Sequence, residues 1–154
     1  MKKVYSLFKN LIPLLIVIYL GAYLLVAIFF PVKSISVFGY SFAVVQTGSM
    51  EPKIKIKDIV CIVKTDKEDL EVGDIINFRT YVKLNTGEIR QINVVHYLGY
   101  ISEDASFFKT QSYGRREEGS FDAWYDENEN RTDALSSENL IGKVAFRIPY
   151  LGYL

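Results

Sequence analysis

The hydrophobic pattern divides the chain into one long apolar segment near its beginning and a longer region of short, alternating segments. Residues 11–32 contain no charged side chain. As a helix rising about 1.5 Å per residue, this length crosses roughly the 30 Å hydrocarbon thickness of a bilayer. We therefore expect a transmembrane anchor at 11–32. The alternative is a cleavable signal peptide ending at the small residues 34–36, but the apolar part of a signal peptide is usually only about 7 to 15 residues long.

After the apolar segment the pattern is typical of β-structure, because apolar and polar residues alternate between turn residues. We predict β-structure from about Val37 onward. Within it, strands are predicted at 53–57, 59–63, 75–78, 92–101 and 140–148. Turns are predicted at Gly73-Asp74 and at Asn85-Thr86-Gly87. The stretch between Ser102 and Asn139 is polar, which indicates loops with an insertion at about 111–132. The predicted fold class is mainly β, a β-domain preceded by one transmembrane helix.

The distribution of charge orients this architecture in the membrane. Three lysines precede the apolar segment, whereas only Lys33 closely follows it. Because positive residues favour the cytoplasmic side, we expect residues 1–10 in the cytoplasm and residues 33–154 outside it. We expect this membrane to be the cell membrane, or the endoplasmic-reticulum membrane in a eukaryote. The exterior region is mildly acidic, which argues against nucleic acid as a partner.

Cysteine and histidine are each present once. A single cysteine excludes an internal disulfide and a cysteine-based zinc site, and Cys61 lies in an apolar run that indicates core. His96 shares a predicted strand face with Val94 and Leu98, where an imidazole is most often structural. It is nevertheless the side chain best suited to take a proton from serine near neutral pH. Ser49 follows Gly48 in a sequence that allows a sharp turn and an exposed hydroxyl, although such sequences also form ordinary turns.

Three carboxylates of the polar stretch are candidates to orient an imidazole: Asp122, Asp126 and Asp133. A carboxylate in that role fixes the tautomer and stabilises the imidazolium. The alternative is a solvated acidic loop. A calcium loop is also conceivable, since Asp126, Asn128 and Asn130 match its first three ligand positions. Its sixth and twelfth positions, however, lack the required glycine and glutamate.

Taken in order, these motifs resemble the type I signal peptidases of the endoplasmic-reticulum variety, which also occur in archaea and Gram-positive bacteria. The most specific match is VVQTGSMEP at 44–52, which is similar to the family's serine box. The segment VGDIINF at 72–78 resembles its Gly-Asp-Ile-Val strand, and VVH at 94–96 resembles its histidine box. Its closing strand is matched by 139–144 and 148–152. The family's Lys-Gly-Asp-Ala-Asn element is absent.

The resemblance implies a role for each matched residue. Ser49 would be the nucleophile and His96 the general base, in place of the lysine of the bacterial housekeeping enzymes. Asp133 would be the orienting acid, by its spacing to Gly142, and Asp126 would correspond to the earlier aspartate of the same element.

The same resemblance implies a serine endopeptidase that removes signal peptides after small residues. The oxyanion would be bound by the Ser49 N–H and the Thr47 hydroxyl, with Met50 beside them at the substrate site. Expected partners are preprotein signal peptides, the lipid bilayer and protein-translocation machinery, and no cofactor or metal is expected. Two alternatives remain open: a serine-lysine peptidase with Lys109 or another lysine as base, and a membrane-tethered β-domain that binds or scaffolds without catalysis.

Overall fold

The computed structural model describes residues 2–153, with side chains described for 9–30 and 34–152. The chain divides into two compact units, the boundary lying between Ser41 and Phe42. The first unit is helical and the second is built on one large antiparallel sheet. The prediction of a mainly β fold with one long N-terminal helix is confirmed.

The first unit contains two helices, α1 (Lys2–Phe29) and α2 (Pro31–Phe38). The segment Lys9–Phe29 of α1, 21 residues, is long and apolar enough to cross a membrane. The expected end at residue 32 was wrong. Phe30 has φ −140° and ψ 63°, outside the helical region, because a following proline disfavours helical backbone.

The start of the β-structure also lies later than predicted. Pro31 occupies the first turn of α2, where its missing N–H costs little. The helix continues through Phe38 and ends at Gly39, whose φ of 79° is left-handed. The first strand therefore begins at Tyr40 and not at Val37.

The sheet is formed by nine strands among the residues described, and one short helix accompanies it. The strands are β1 (Tyr40–Val44), β2 (Ile59–Val63), β3 (Ile75–Lys83), β4 (Ile89–Ile101), β5 (Phe107–Gln111), β6 (Trp124–Tyr125), β7 (Arg131–Thr132), β8 (Leu135–Ser136) and β9 (Leu140–Ile148), and the helix is α3 (Tyr113–Glu118). Their order is β1-β2-β9-β3-β4-β5-β8, and β6 pairs with β3 and β7. Single 3₁₀ turns occur at Lys67–Asp69, Ser137–Asn139 and Leu151–Tyr153.

Most predicted strands are confirmed, β2 and β9 with the predicted bounds. The predicted turn at 85–87 joins β3 to β4, and Gly87 there has a φ of 86°. The strand predicted at 53–57 was wrong, because these residues form turns. The Ile54 N–H donates to the Met50 carbonyl at 2.9 Å, and the Lys55 N–H donates to the Asp58 carboxylate at 2.9 Å. Local hydrogen bonds of this kind compete with strand pairing.

The polar stretch after Ser102 contains more regular structure than predicted. It includes β5, α3 and the short strands β6 to β8. Together with β3 and β4 it encloses the main hydrophobic cluster, formed by Leu70, Ile76, Phe78, Leu98, Phe108, Trp124 and Leu135. Cys61 is buried in β2, as its apolar run indicated, and burial raises the pKa of its thiol.

Candidate active site

Ser49 lies in the loop that connects β1 to β2, and this loop is closed at its base by backbone hydrogen bonds. The Val45 N–H donates to the Asp58 carbonyl at 2.9 Å, and the Lys57 N–H donates to the Val45 carbonyl at 2.8 Å. The Gly152 N–H in turn donates to the Lys57 carbonyl at 2.9 Å. The loop is thus held by its own ends and by the segment after β9.

The Asp58 side chain also holds the Ser49 loop in place. Its carboxylate is fully buried and accepts from the Lys55 N–H, the Tyr150 N–H at 3.1 Å and the Arg147 guanidinium at 2.7 Å. Burial by itself raises the pKa of Asp58, but these donors outweigh it and the pKa is lowered. A buried, ionised carboxylate therefore ties the Ser49 loop to β9.

The turn at Gly48 and Ser49 presents the serine hydroxyl. The Glu51 N–H donates to the Gly48 carbonyl at 3.0 Å, and a Cβ at Gly48 would lie 3.3 Å from the Glu51 side chain. The Tyr113 N–H donates to the Ser49 carbonyl at 3.0 Å, so α3 fixes the backbone of Ser49. Met50, predicted at the substrate site, is only 2 % exposed and its side chain belongs to the interior.

His96 connects the Ser49 loop to the sheet. It lies in β4 opposite Ile76 of β3, is 4 % exposed, and has the Phe78 and Trp124 rings at 6.3 and 5.5 Å between centroids. Its Nε2 lies 2.8 Å from Ser49 Oγ. The two groups are therefore within hydrogen-bond reach, the distance that direct proton transfer requires.

Asp122 holds the other side of the imidazole. Its Oδ2 lies 2.7 Å from His96 Nδ1 and accepts from the Thr110 hydroxyl at 2.9 Å, and its Oδ1 accepts from the Ser112 N–H at 3.0 Å. Burial raises the pKa of Asp122, but the hydrogen bond and charge of His96, with the other two donors, more than offset it and the pKa is lowered. An ionised carboxylate only accepts, so Nδ1 carries the proton and Nε2 is free to accept from Ser49.

Neither aspartate predicted as the orienting acid contacts His96. Asp133 is half exposed and pairs with the Lys109 ammonium at 2.8 Å. Asp126 closes its own turn by accepting the N–H groups of Asn128 and Asn130, each at 2.8 Å. Both assignments were wrong because the β6–β7 hairpin separates Asp122 from the position that matches the family's spacing.

The remaining candidate residues, including lysines that could serve as an alternative base, make the following contacts. Thr47 Oγ1 is 3.5 Å from Ser49 Oγ, which places a second hydroxyl beside that of Ser49. Among the hydrogen bonds of the described residues, none uses the Ser49 N–H, so this donor is available. Lys109, the alternative base, is engaged by Asp133 and lies over the Phe121 ring at 5.2 Å. Lys143, on β9, pairs with Asp74 at 2.8 Å.

Sequence reasoning missed two residues that support the acid, Thr110 and Trp124. The signal for Thr110 was the alternation in β5, where Phe108 and Thr110 are buried between more exposed neighbours. The signal for Trp124 was that the chain's single tryptophan lies two residues after Asp122. Neither signal identifies a site without the fold.

The three side chains together have the geometry of a Ser-His-Asp triad. A scan against protein-family models finds no match, and searches of curated proteins and of solved structures return none either.

Proposed function

We propose that the chain is a membrane-anchored serine endopeptidase of the type I signal peptidase class. The observation that carries this proposal is the hydrogen-bonded chain from Ser49 Oγ through His96 to Asp122, with links of 2.8 and 2.7 Å. Ser49 is the nucleophile, His96 the general base and Asp122 the acid that orients it.

In this mechanism Ser49 Oγ attacks the scissile carbonyl while His96 Nε2 takes its proton. His96 then protonates the leaving amine, and water hydrolyses the acyl-enzyme with the same base. The oxyanion is bound by the Ser49 N–H, with the Thr47 hydroxyl as second donor. Asp122 stays ionised throughout and stabilises the imidazolium.

The geometry favours this mechanism over the two alternatives. A serine-lysine peptidase needs an ammonium close to Ser49, but Lys109 and Lys143 are both occupied by carboxylates. A binding domain has no need of a serine hydroxyl on the free nitrogen of a buried, carboxylate-bound imidazole. Structural His–Asp pairs do occur in proteins, and the Ser49 contact is what distinguishes this one.

Two further features support the proposed substrate class. The apolar helix at Lys9–Phe29 is suited to keep the enzyme in the membrane where signal peptides are found. The serine, histidine and closing segments of the sequence resemble those of signal peptidases. We assign preprotein signal peptides as substrates, cut after small residues outside the cytoplasm, with the N-terminus of the enzyme inside.

The test is co-expression of the full-length chain with a tagged precursor that carries a signal peptide. Wild type is compared with Ser49→Ala and His96→Gln. Ser106→Ala serves as control because Ser106 is exposed and its hydroxyl bonds only to Ser102 and Asp104 of the same turn. Cleavage by wild type and Ser106→Ala, lost in the other two, supports the proposal.

A second measurement separates enzyme from binding domain. Membranes are treated with a serine-directed acylating probe, which should label wild type and Ser106→Ala but not Ser49→Ala. If wild type neither cleaves precursor nor takes up the probe while remaining folded, the peptidase proposal is wrong. Cleavage that survives His96→Gln would favour a lysine base.

A further inference from the structure

Behind the acid of the proposed triad lies a second pair of hydrogen-bonded side chains. The Trp124 indole N–H donates to Thr110 Oγ1 at 3.0 Å, and the Thr110 hydroxyl donates to Asp122 Oδ2 at 2.9 Å. Thr110 is fully buried and Trp124 is 9 % exposed. Both links are therefore formed away from water.

The direction of these bonds follows from the chemistry of the groups. An indole N–H can only donate, so the Thr110 oxygen must accept from it. The single hydroxyl hydrogen of Thr110 is then left to point at the other neighbour, an ionised carboxylate that can only accept. Trp124 thus makes Thr110 an obligatory donor to Asp122.

The same carboxylate oxygen also accepts from His96 Nδ1, whereas the Ser112 N–H holds the other oxygen. With one donor on Oδ1 and two on Oδ2, the Asp122 carboxylate cannot rotate without breaking a buried bond. Hydrogen bonds to charged groups are among the stronger ones in proteins, so this constraint is substantial.

We propose that Trp124 and Thr110 form a positioning relay for Asp122, which sets how strongly the carboxylate binds the protonated imidazole of His96. The relay rests on the proposed function only in that His96 is the base whose protonation it controls. Both residues are buried and act through their hydrogen bonds toward Asp122. They are positioning residues and not catalytic ones.

Few other groups around His96 carry a charge that could affect the protonation of its imidazole. Its β3 neighbours are the apolar Ile76 and the Phe78 ring, and the Trp124 ring lies against it. On β9, Lys143 pairs with Ile76 across the sheet, but its ammonium is bound to Asp74. On β4, the next residue, Tyr97, has Arg116 over its ring at 4.4 Å. Of the contacts described for His96, Asp122 supplies the one charge.

The chain offers its own probe of this protonation. Trp124 is the only tryptophan, and its ring centroid lies 5.5 Å from that of His96. A protonated imidazole in contact with an indole lowers its fluorescence, so tryptophan emission of the full chain in detergent should titrate with His96. His96→Gln should abolish that titration, which identifies its source.

Thr110→Val removes the hydroxyl donor at nearly constant volume. Without it, Asp122 has one donor fewer and binds the imidazolium more strongly, so the fluorescence midpoint should move to higher pH. The same loss also frees the carboxylate to rotate, which misaligns His96 with Ser49, so precursor cleavage should fall about tenfold through kcat with KM unchanged. Thr110→Ser, which keeps the hydroxyl, should restore both values.

The matched control is Thr80→Val. Thr80 is as deeply buried as Thr110, but its hydroxyl has no hydrogen-bond partner among the described residues. Its replacement should change neither the midpoint nor kcat. Trp124→Phe, which removes the N–H but keeps a ring, should shift the acidic limb of the pH–rate profile in the same direction as Thr110→Val.

A midpoint for folded Thr110→Val that is equal to or below that of wild type overturns the relay. This outcome is distinct from failure of the proposed function, because the fluorescence titration needs no substrate. A chain that cleaves no precursor yet shows the shifted midpoint would retain the relay and lose the peptidase.

Discussion

Two buried aspartates of the β-domain show how similar surroundings serve different ends. Asp58 and Asp122 are 0 % and 7 % exposed, and hydrogen-bond donors lower the pKa of each carboxyl. Around Asp58 the donors are two backbone N–H groups and Arg147, which is always charged. Around Asp122 they are a backbone N–H, a hydroxyl and the ring of His96.

The difference lies in what the partner can do with a proton. Arg147 cannot release one, so the Asp58 region is a permanent ion pair that fixes the Ser49 loop to β9. Histidine can gain and lose one, so in the proposed mechanism the Asp122 region responds to chemistry at Ser49. Burial and a lowered pKa alone therefore do not distinguish a structural acid from a functional one, whereas the titratable partner does.

Asp122→Asn should have the largest effect on activity. Asparagine nearly preserves the shape but cannot stabilise imidazolium, and its amide can turn the imidazole to the wrong tautomer. In serine proteases such a change lowers kcat about 10⁴-fold. We expect a similar loss in precursor cleavage measured with purified full-length chain, and only a modest change in thermal unfolding.

The distinction between Asp58 and Asp122 would be wrong if Asp122→Asn stayed folded and cleaved precursor at near wild-type rates. Asp122 would then be structural, like Asp58. Uptake of the serine-directed probe by the same variant provides an independent reading, since it reports nucleophile activation without precursor binding.

Asp58→Asn should have the largest effect on stability. It leaves Arg147 without its carboxylate, and breaking one side of a buried ion pair typically costs about 3 to 5 kcal/mol. Arg147 is 38 % exposed, so we expect the lower end, about 3 kcal/mol in free energy of unfolding. Denaturant unfolding measures it, with the exposed Asp69→Asn as control.

The same contrast between Asp58 and Asp122 predicts the cleavage activity of each variant per folded molecule. Asp58→Asn should retain cleavage once the folded fraction is taken into account, since its carboxylate touches neither Ser49 nor His96 in the structure. A fully folded Asp58→Asn with no activity would show that the loop needs Asp58 for chemistry as well as for stability.

The sequence was sufficient for the serine and histidine half of the site and insufficient for the acid. Ser49 and His96 lie in short motifs whose residues are close along the chain, and β2 and β9 follow from apolar periodicity. Asp122 lies in a polar stretch with three candidate aspartates, and only the pairing of β4 with β5 brings Thr110 and His96 to the same carboxylate. Pairing between strands that are distant along the chain leaves no local pattern in the sequence from which the acid could be predicted.

We expect the Ser49 loop to contribute to catalysis through Thr47, whereas Asp58 holds its shape. Thr47→Val removes the hydroxyl 3.5 Å from Ser49 Oγ while keeping the branched side chain. If this hydroxyl binds the oxyanion, kcat should fall about 10²- to 10³-fold. Single-turnover cleavage measures it, and an unchanged kcat would remove Thr47 from the role.

Lowering the pH should reduce the stability that Asp58 and Asp122 each contribute to the fold. An aspartate whose folded pKa is lowered stabilises the fold above its unfolded value, about 3.9, and that contribution is lost as pH falls through the folded pKa. Wild type should therefore unfold more readily below about pH 4. Asp58→Asn should show a shallower dependence in pH-resolved denaturant unfolding, and an equal slope would contradict the ionised state of Asp58.

The smallest effects are expected at Asp133 and Asp126, the aspartates of the same stretch that the structure places away from His96. Asp133→Ala breaks a half-exposed pair with Lys109, and such pairs contribute about 0.2 to 1 kcal/mol. Asp126→Ala loosens an exposed turn. Cleavage by both should stay within about twofold of wild type, since surface substitutions usually change energies by under about 0.5 kcal/mol. A loss at Asp133 as large as at Asp122 would mean that the acid is exchanged during turnover.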